Sequence, residues 1–199
     1  RDTDATHYQP LRYVQDMVTL LDTLGLARVS VIGTSLGGMM GMLLLAMHAP
    51  RVQALVINDV GPVVEAAGIA RIASYVGKTA PAQNWDEAIA QTAAVNGVAF
   101  PAYGAADWAA MARKLHVQEG TRPVLDYDPA IAQGVAAGTA TPDLWPLFDA
   151  MPPRPVLALR GELSDILSTT TLAEMQRRLA ALQAVTVPGV GHAPMLDEP

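Results

Sequence analysis

A serine stands among closely spaced glycines in the string Gly33-Thr34-Ser35-Leu36-Gly37-Gly38. A β-branched run precedes it and a long apolar segment follows it, so the serine is predicted at a sharp strand-to-helix turn. Such a turn exposes the hydroxyl and crowds the residues two positions away, which predicts that Gly33 and Gly37 are both required. The start of the helix favours negative charge and aims the Leu36 N–H as an oxyanion donor. We therefore interpret Ser35 as a nucleophile rather than as part of an inert Gly-Ser loop.

A serine hydroxyl needs a general base, and the base needs a carboxylate that orients it. The chain has four histidines. His192 follows a predicted strand in the turn Pro188-Gly189-Val190-Gly191-His192-Ala193-Pro194, whereas His7 lies near the start of the chain, His48 ends a helix and His116 lies in a helical region. Position selects His192 as the base over the alternative of an ordinary surface-loop histidine.

Three acidic residues follow predicted strands and could supply the carboxylate. Asp165 lies in Arg160-Gly161-Glu162-Leu163-Ser164-Asp165, Glu162 lies in the same turn, and Asp59 follows the preceding strand. We predict Asp165 as the acid. Asp59 is expected to hold its own Gly-Pro turn, and Glu162 to be a solvated or ion-paired neighbour.

Alternating strands and helices are predicted to position these residues. Helices are predicted at residues 10–26, 35–49 and 169–182, and strands at 28–32, 52–57, 155–160 and 184–188. Residues 62–151 are rich in Ala, Gly and Pro and predict helices, at 85–95 and 105–116 among others, without a strand. The pattern indicates an α/β core with a mostly parallel sheet, formed by residues 1–61 and 152–199, and a helical lid at 62–151.

Composition excludes several classes of function. The 199 residues are 51% hydrophobic and 16% charged, with a net charge of −6, so the chain can bury a core but offers no basic face to nucleic acid. With no cysteine and no metal-ligand spacing among the aspartates, neither a metal nor a cofactor is expected. The longest apolar run, residues 39–47, is far shorter than the roughly 20 residues of a membrane span. No signal peptide is visible, and we expect a cytoplasmic protein without a membrane partner; the oligomeric state stays open.

The motifs resemble those of a known family. The string Val31-Ile32-Gly33-Thr34-Ser35-Leu36-Gly37-Gly38 is similar to the nucleophile elbow of the α/β-hydrolase superfamily, and the turns at Asp165 and His192 resemble its acid and histidine loops. The chain also resembles small bacterial hydrolases grouped with enol-lactonases, esterases and cofactor-free haloperoxidases. This resemblance implies an α/β-hydrolase fold of eight strands, of which the chain supplies the fifth to the eighth. The loop that gives the second oxyanion N–H would belong to the first four. The strand that pairs with residues 29–32 would belong there too, so we expect the 199 residues alone to hold their sheet poorly.

Taken together, the residues and the resemblance predict a hydrolase of carboxylic esters or lactones that forms an acyl-enzyme on Ser35. A serine at this position argues against carbon–halogen or epoxide cleavage, which relatives perform with an aspartate. Thr34 stands where relatives that cleave carbon–carbon bonds tend to carry asparagine. Carbon–carbon hydrolysis and perhydrolysis stay open as alternatives, as does a non-catalytic relative that binds a small ligand.

The lid is expected to form an apolar roof over Ser35, which favours small or medium, largely uncharged acyl substrates. Thr34, Trp145 and Met195 are predicted to contact the substrate. For most of the large aromatic residues of the lid, we expect simple packing onto the core. These residues are Trp85, Phe100, Trp108, Trp145 and Phe148.

Overall fold

The computed structural model describes residues 2–133 and 143–195. Its elements in chain order are α1 (Pro10–Thr23), β1 (Val29–Thr34), α2 (Leu36–Met47), β2 (Val52–Asn58), α3 (Ala66–Tyr75), α4 (Trp85–Asn96), α5 (Ala105–Leu115), β3 (His116–Glu119), β4 (Arg122–Leu125), α6 (Trp145–Asp149), β5 (Val156–Gly161), α7 (Thr169–Arg178) and β6 (Leu182–Val187). Short 3-10 turns lie at Ala5–His7 and Ala49–Arg51.

Four of these strands form one parallel sheet in the order β1-β2-β5-β6. In its register Asn58 lies between Thr34 on one side and Leu159 on the other. Parallel strands all end at the same edge of a sheet, so the turns after β1, β2, β5 and β6 meet there. This edge carries every residue for which a catalytic role is predicted.

The helix α2 is apolar on all its faces and is buried against β1 and β2, as expected of a helix without a polar side. Met42, Leu44 and Leu45 have no exposed surface, and Leu55 and Ile57 of β2 lie in the same cluster. The core of the molecule therefore lies directly behind the turn that follows β1.

The predicted alternation of strands and helices is confirmed, with shifts at the ends. The helix α1 ends at Thr23 instead of residue 26 because Gly25 adopts φ +65°, a left-handed conformation that ends helices. The helix α7 ends at Arg178 instead of residue 182 because Leu182 joins the sheet beside Val156.

The expectation of no strand within residues 62–151 is wrong. The strands β3 and β4 form an antiparallel hairpin in which Glu119 pairs with Arg122 around a two-residue turn. Gly120 supplies the positive φ, +58°, that such a turn requires. Each strand has only four residues and several of them are polar and exposed, so hydrophobic alternation is too short to identify them.

No helix in the described part of the chain, residues 2–133 and 143–195, has both the length and the apolar character needed to cross a membrane.

Candidate active site

Ser35 lies between β1 and α2 with φ 51° and ψ −117°, a conformation that residues other than glycine adopt only at an energetic cost. Its N–H donates to the Asn58 carbonyl at 2.9 Å, and its own carbonyl accepts from the Met39 N–H at 3.1 Å. The backbone of Ser35 is thus held by β2 on one side and by the first turn of α2 on the other. The serine predicted at a strand-to-helix turn is found at one.

Close packing explains one of the two flanking glycines. A Cβ on Gly33 would lie 2.2 Å from the Gly37 carbonyl oxygen, so Gly33 is required. A Cβ on Gly37 would meet no described atom within 4 Å, and the prediction that both glycines are required is wrong for this one. Gly38 and Gly41 let α2 approach the sheet, because a Cβ on either would lie 2.5–2.6 Å from a core side chain.

His192 is hydrogen-bonded to Asp59. Its Nδ1 lies 2.7 Å from Asp59 Oδ2, and the side chain of His192 is 11% exposed while that of Asp59 is fully buried. The same carboxylate accepts from the Gly161 N–H at 2.9 Å and from the Ser164 hydroxyl at 2.7 Å. Three donors compensate for burying the charge, and a carboxylate on Nδ1 leaves Nε2 as the proton acceptor of the neutral ring.

Asp165 has a different partner. Arg71 on α3 donates to it through both Nε, at 2.5 Å, and Nη2, at 2.8 Å. These hydrogen bonds are the main reason why the pKa of Asp165 lies below its ordinary value. The prediction of Asp165 as the carboxylate that orients His192 is therefore wrong, because Arg71 pairs with Asp165 while Asp59 is hydrogen-bonded to the ring.

Of the other two acidic candidates, Asp59 differs from expectation and Glu162 is exposed, as expected of a solvated neighbour. Asp59 was expected to hold its own Gly-Pro turn, but its carboxylate instead joins the turn after β5 to the histidine loop. Glu162 is bound to backbone: its carboxylate accepts from the Gly189 N–H at 2.8 Å. It fastens the turn after β6 and lies outside the Asp59–His192 pair.

The predicted substrate-contacting residues lie in three places. The Thr34 hydroxyl accepts from Asn58 Nδ2 at 3.1 Å, beside the nucleophile turn, and Leu36 begins α2. Met195 is 40% exposed in the histidine loop. Trp145 lies in α6, edge-on to Phe148, with the Arg178 guanidinium 4.2 Å above its ring. Contact of any of these residues with substrate stays a prediction.

The segment predicted as a lid, residues 62–151, contacts the histidine loop directly through its described residues. The Gly191 N–H donates to the Ala99 carbonyl at 2.6 Å, and a Cβ on Gly191 would lie 2.8 Å from Ala99 Cα. Phe100 and Met111 of the lid share a buried apolar cluster with Val190 of the loop. The residue before His192 is a glycine because the lid backbone leaves no room for a side chain.

Two residues at the site escaped the sequence analysis. Asn58 precedes Asp59 at the end of β2, and its position at a strand end was an available signal. Arg71 gave no local signal, because its partner Asp165 lies 94 residues away in the chain.

The chain is similar to several known hydrolases. A family model described as the alpha/beta hydrolase family matches residues 1–199. The 3-hydroxybutyrate-oligomer hydrolase of Cupriavidus necator is 35% identical, over 98% of this chain and 70% of its own length. The 2-(acetamidomethylene)succinate hydrolase of Mesorhizobium japonicum is 28% identical, over 96% of this chain and 67% of its own length.

A solved structure extends the likeness to three dimensions. The crystal structure of an alpha/beta hydrolase from Novosphingobium aromaticivorans superposes with a TM-score of 0.91 at 42% identity, over all of this chain and 70% of that one. The resemblance drawn from the motifs and the predicted fold are both confirmed. With the family model matching from the first residue to the last, the chain belongs to the alpha/beta hydrolase family.

Proposed function

We propose that the protein hydrolyses carboxylic esters through an acyl-enzyme, with Ser35 as nucleophile, His192 as base and Asp59 as the orienting acid. The observation that carries the proposal is the 2.7 Å hydrogen bond from His192 Nδ1 to a fully buried Asp59. It lies at the same sheet edge as a serine held in a strained turn. Asp59 replaces Asp165 in the triad that the sequence predicted.

In the proposed steps His192 acts in turn as base and as acid. With Asp59 accepting a hydrogen bond from Nδ1–H, Nε2 takes the Ser35 proton as the oxygen attacks the ester carbonyl, and the developing oxyanion faces the Leu36 N–H at the start of α2. His192 then gives this proton to the leaving alcohol. In the second half, Nε2 takes a proton from the water that attacks the acyl-enzyme and returns it to the Ser35 oxygen as the carboxylic acid leaves. Proton transfer requires the Ser35 hydroxyl to come within hydrogen-bond distance of Nε2 once substrate is bound.

We further propose a short aliphatic ester of the hydroxybutyrate type as the substrate, with an uncharged acyl group. The name of the C. necator relative supports this class. Arg71, a cation near the site, is already paired with Asp165 and is not available to bind a carboxylate on the acyl group. Phe100 and Met111 add an apolar cluster on the lid side of the histidine loop.

The lid also has space for the remainder of an extended oligoester. A cavity of about 340 Å³ lies between α3, α4, α5 and β4, and Tyr75 of α3 lines it. Tyr75 is four residues from Arg71, a rise of about 6 Å along the helix. We propose that a chain of several ester units extends past Arg71 toward this cavity.

The experiment combines a covalent probe with a substrate panel. A fluorophosphonate should label the wild-type protein and not Ser35→Ala, and the wild type should cleave p-nitrophenyl butyrate and the 3-hydroxybutyrate dimer. A folded wild-type protein that is not labelled would favour the non-catalytic, ligand-binding alternative. A higher kcat/KM for a dianionic ester than for its neutral analogue would contradict the uncharged acyl group. Turnover of a ring-fission diketone or of peracid instead of esters would favour the carbon–carbon or perhydrolase alternatives.

A further inference from the structure

Asn58 is hydrogen-bonded both to the turn that holds Ser35 and to the histidine loop. It is the last residue of β2, 7% exposed, and it pairs in register with Thr34, the residue before the nucleophile. Its backbone carbonyl accepts the Ser35 N–H at 2.9 Å. Its side-chain Nδ2 donates to the Pro194 carbonyl of the histidine loop at 2.8 Å and to the Thr34 hydroxyl at 3.1 Å.

The orientation of this amide is determined by its surroundings. The Pro194 carbonyl can only accept a hydrogen bond, so the NH2 group of Asn58 and not its oxygen must face it. Oδ1 is left buried without a hydrogen-bond partner among the described residues. A buried acceptor without a partner lowers the stability of the fold. The orientation that lets Nδ2 make its two hydrogen bonds therefore has an energetic cost at Oδ1.

Asn58 complements Asp59, the next residue in the chain. Asp59 holds the imidazole itself through Nδ1, and Asn58 holds the backbone two residues beyond it, at Pro194. A ring held by one hydrogen bond can still tilt with its loop, whereas two attachments, one from the last residue of β2 and one from the residue after it, restrain both ring and loop. The same strand end also carries the bond to the Ser35 N–H, so β2 sets the position of the base relative to the nucleophile.

We infer that Asn58 is a positioning residue that sets the geometry between His192 and Ser35 by joining the histidine loop to the nucleophile turn. This inference rests on the proposed function for its effect on catalysis. It does not require Asn58 to touch the substrate. Misplacement of a catalytic group by about 1 Å can cost about 10²-fold in rate, so the loss of this attachment should lower kcat far more than it changes KM.

The test compares Asn58→Ala and Asn58→Ser with Gln118→Ala. Gln118 is the control because its Nε2 also donates to a backbone carbonyl, that of Gly120, but at the exposed hairpin of β3 and β4. We expect kcat and the rate of fluorophosphonate labelling to fall about 10–100-fold in the Asn58 variants, with KM within about twofold of wild type. The Gln118 variant should stay within about twofold in both. Should Asn58→Ala fail to fold, Asn58→Ser carries the comparison with a smaller loss of volume and polarity.

A second measurement separates this inference from the proposed function. Hydrogen exchange of the backbone in residues 188–194, followed by mass spectrometry, reports the attachment of the loop whether or not the protein is an esterase. Faster exchange in the Asn58 variants, with exchange unchanged in Gln118→Ala, supports the attachment even if no ester is cleaved. Unchanged exchange, or a folded Asn58→Ala protein with wild-type kcat, overturns the inference.

Discussion

Replacement of Asp59 by asparagine tests the assignment of the acid most directly, because it keeps the shape of the side chain and changes its charge and its hydrogen bonding. In the wild type, Oδ1 accepts from the Gly161 N–H, and Oδ2 accepts from both Ser164 and His192. An asparagine whose oxygen stays on the Gly161 N–H must point its NH2 at His192 Nδ1. That nitrogen would then accept, and the ring proton would move to Nε2, which could no longer take the proton of Ser35.

The opposite orientation of the amide is no better, because it brings NH2 against the Gly161 N–H and leaves two donors facing each other. In serine proteases the corresponding change lowers kcat by about 10⁴ through the wrong tautomer. We expect about 10³–10⁴-fold here, which corresponds to about 4–5.5 kcal/mol of transition-state stabilisation. KM should change little, since Asp59 is fully buried and does not contact substrate.

Asp165→Asn is the matched control. It removes the same charge from the neighbouring turn, but it affects the pair with Arg71 and not the imidazole. We expect less than about a tenfold loss of kcat, because Asp165 acts on the ring only through a weaker charge interaction. Both variants and the wild type are compared by steady-state turnover of p-nitrophenyl butyrate. If Asp165→Asn were the more damaging change, or if Asp59→Asn kept a tenth of the wild-type kcat, the assignment of Asp59 would be refuted.

Three further outcomes are expected. Ser35→Gly and Ser35→Ala should both abolish turnover, but the glycine variant should be more stable by about 1 kcal/mol in chemical unfolding, since glycine tolerates φ 51°; equal stabilities would contradict the strain. The pKa of Asp165 is lower in the folded state than its ordinary 3.8, so its pair with Arg71 stabilises the fold above that value and is lost as the pH falls through the lowered pKa. Wild type should therefore lose more unfolding free energy than Asp165→Asn between about pH 5 and about pH 2, and parallel curves would contradict this. Gly191→Ala places a methyl 2.8 Å from Ala99 Cα and should lower the free energy of unfolding by about 1–3 kcal/mol and also lower kcat. An unchanged melting temperature would show that the backbone at Ala99 moves to make room for the methyl.

Local signals account for what the sequence could predict. The strands β1, β2, β5 and β6 are β-branched or apolar runs between turn residues, and α2 is an apolar segment ended by His48 and Pro50. The turns that hold Ser35 and His192 follow strands directly, so their place at one sheet edge follows from the parallel order alone.

The carboxylate that is hydrogen-bonded to His192 depends on contacts that no local signal in the sequence indicates. Asp59 and Asp165 both follow strands that end at this edge, and chain order permits either of them. The difference comes from Arg71, which approaches from the lid and pairs with Asp165, and from Gly161 and Ser164, whose donors hold Asp59 beneath the ring. Tertiary contacts determine which of the two carboxylates faces His192, and the spacing of residues in the sequence does not indicate these contacts.

The bond between Gly191 and Ala99 ties the heat resistance of activity to a part of the molecule with a small apolar cluster. Segments with few buried contacts open locally at free energies well below that of global unfolding. The cluster at Ala99 is far smaller than the core behind α2. When the lid melts, Gly191 loses the carbonyl that holds it, and the histidine loop keeps its bonds to Asn58 and Asp59 but loses this third attachment while the parallel sheet is still intact. Activity should therefore be lost at a lower temperature than the circular dichroism of the sheet, and its recovery on cooling should need only the lid to fold again.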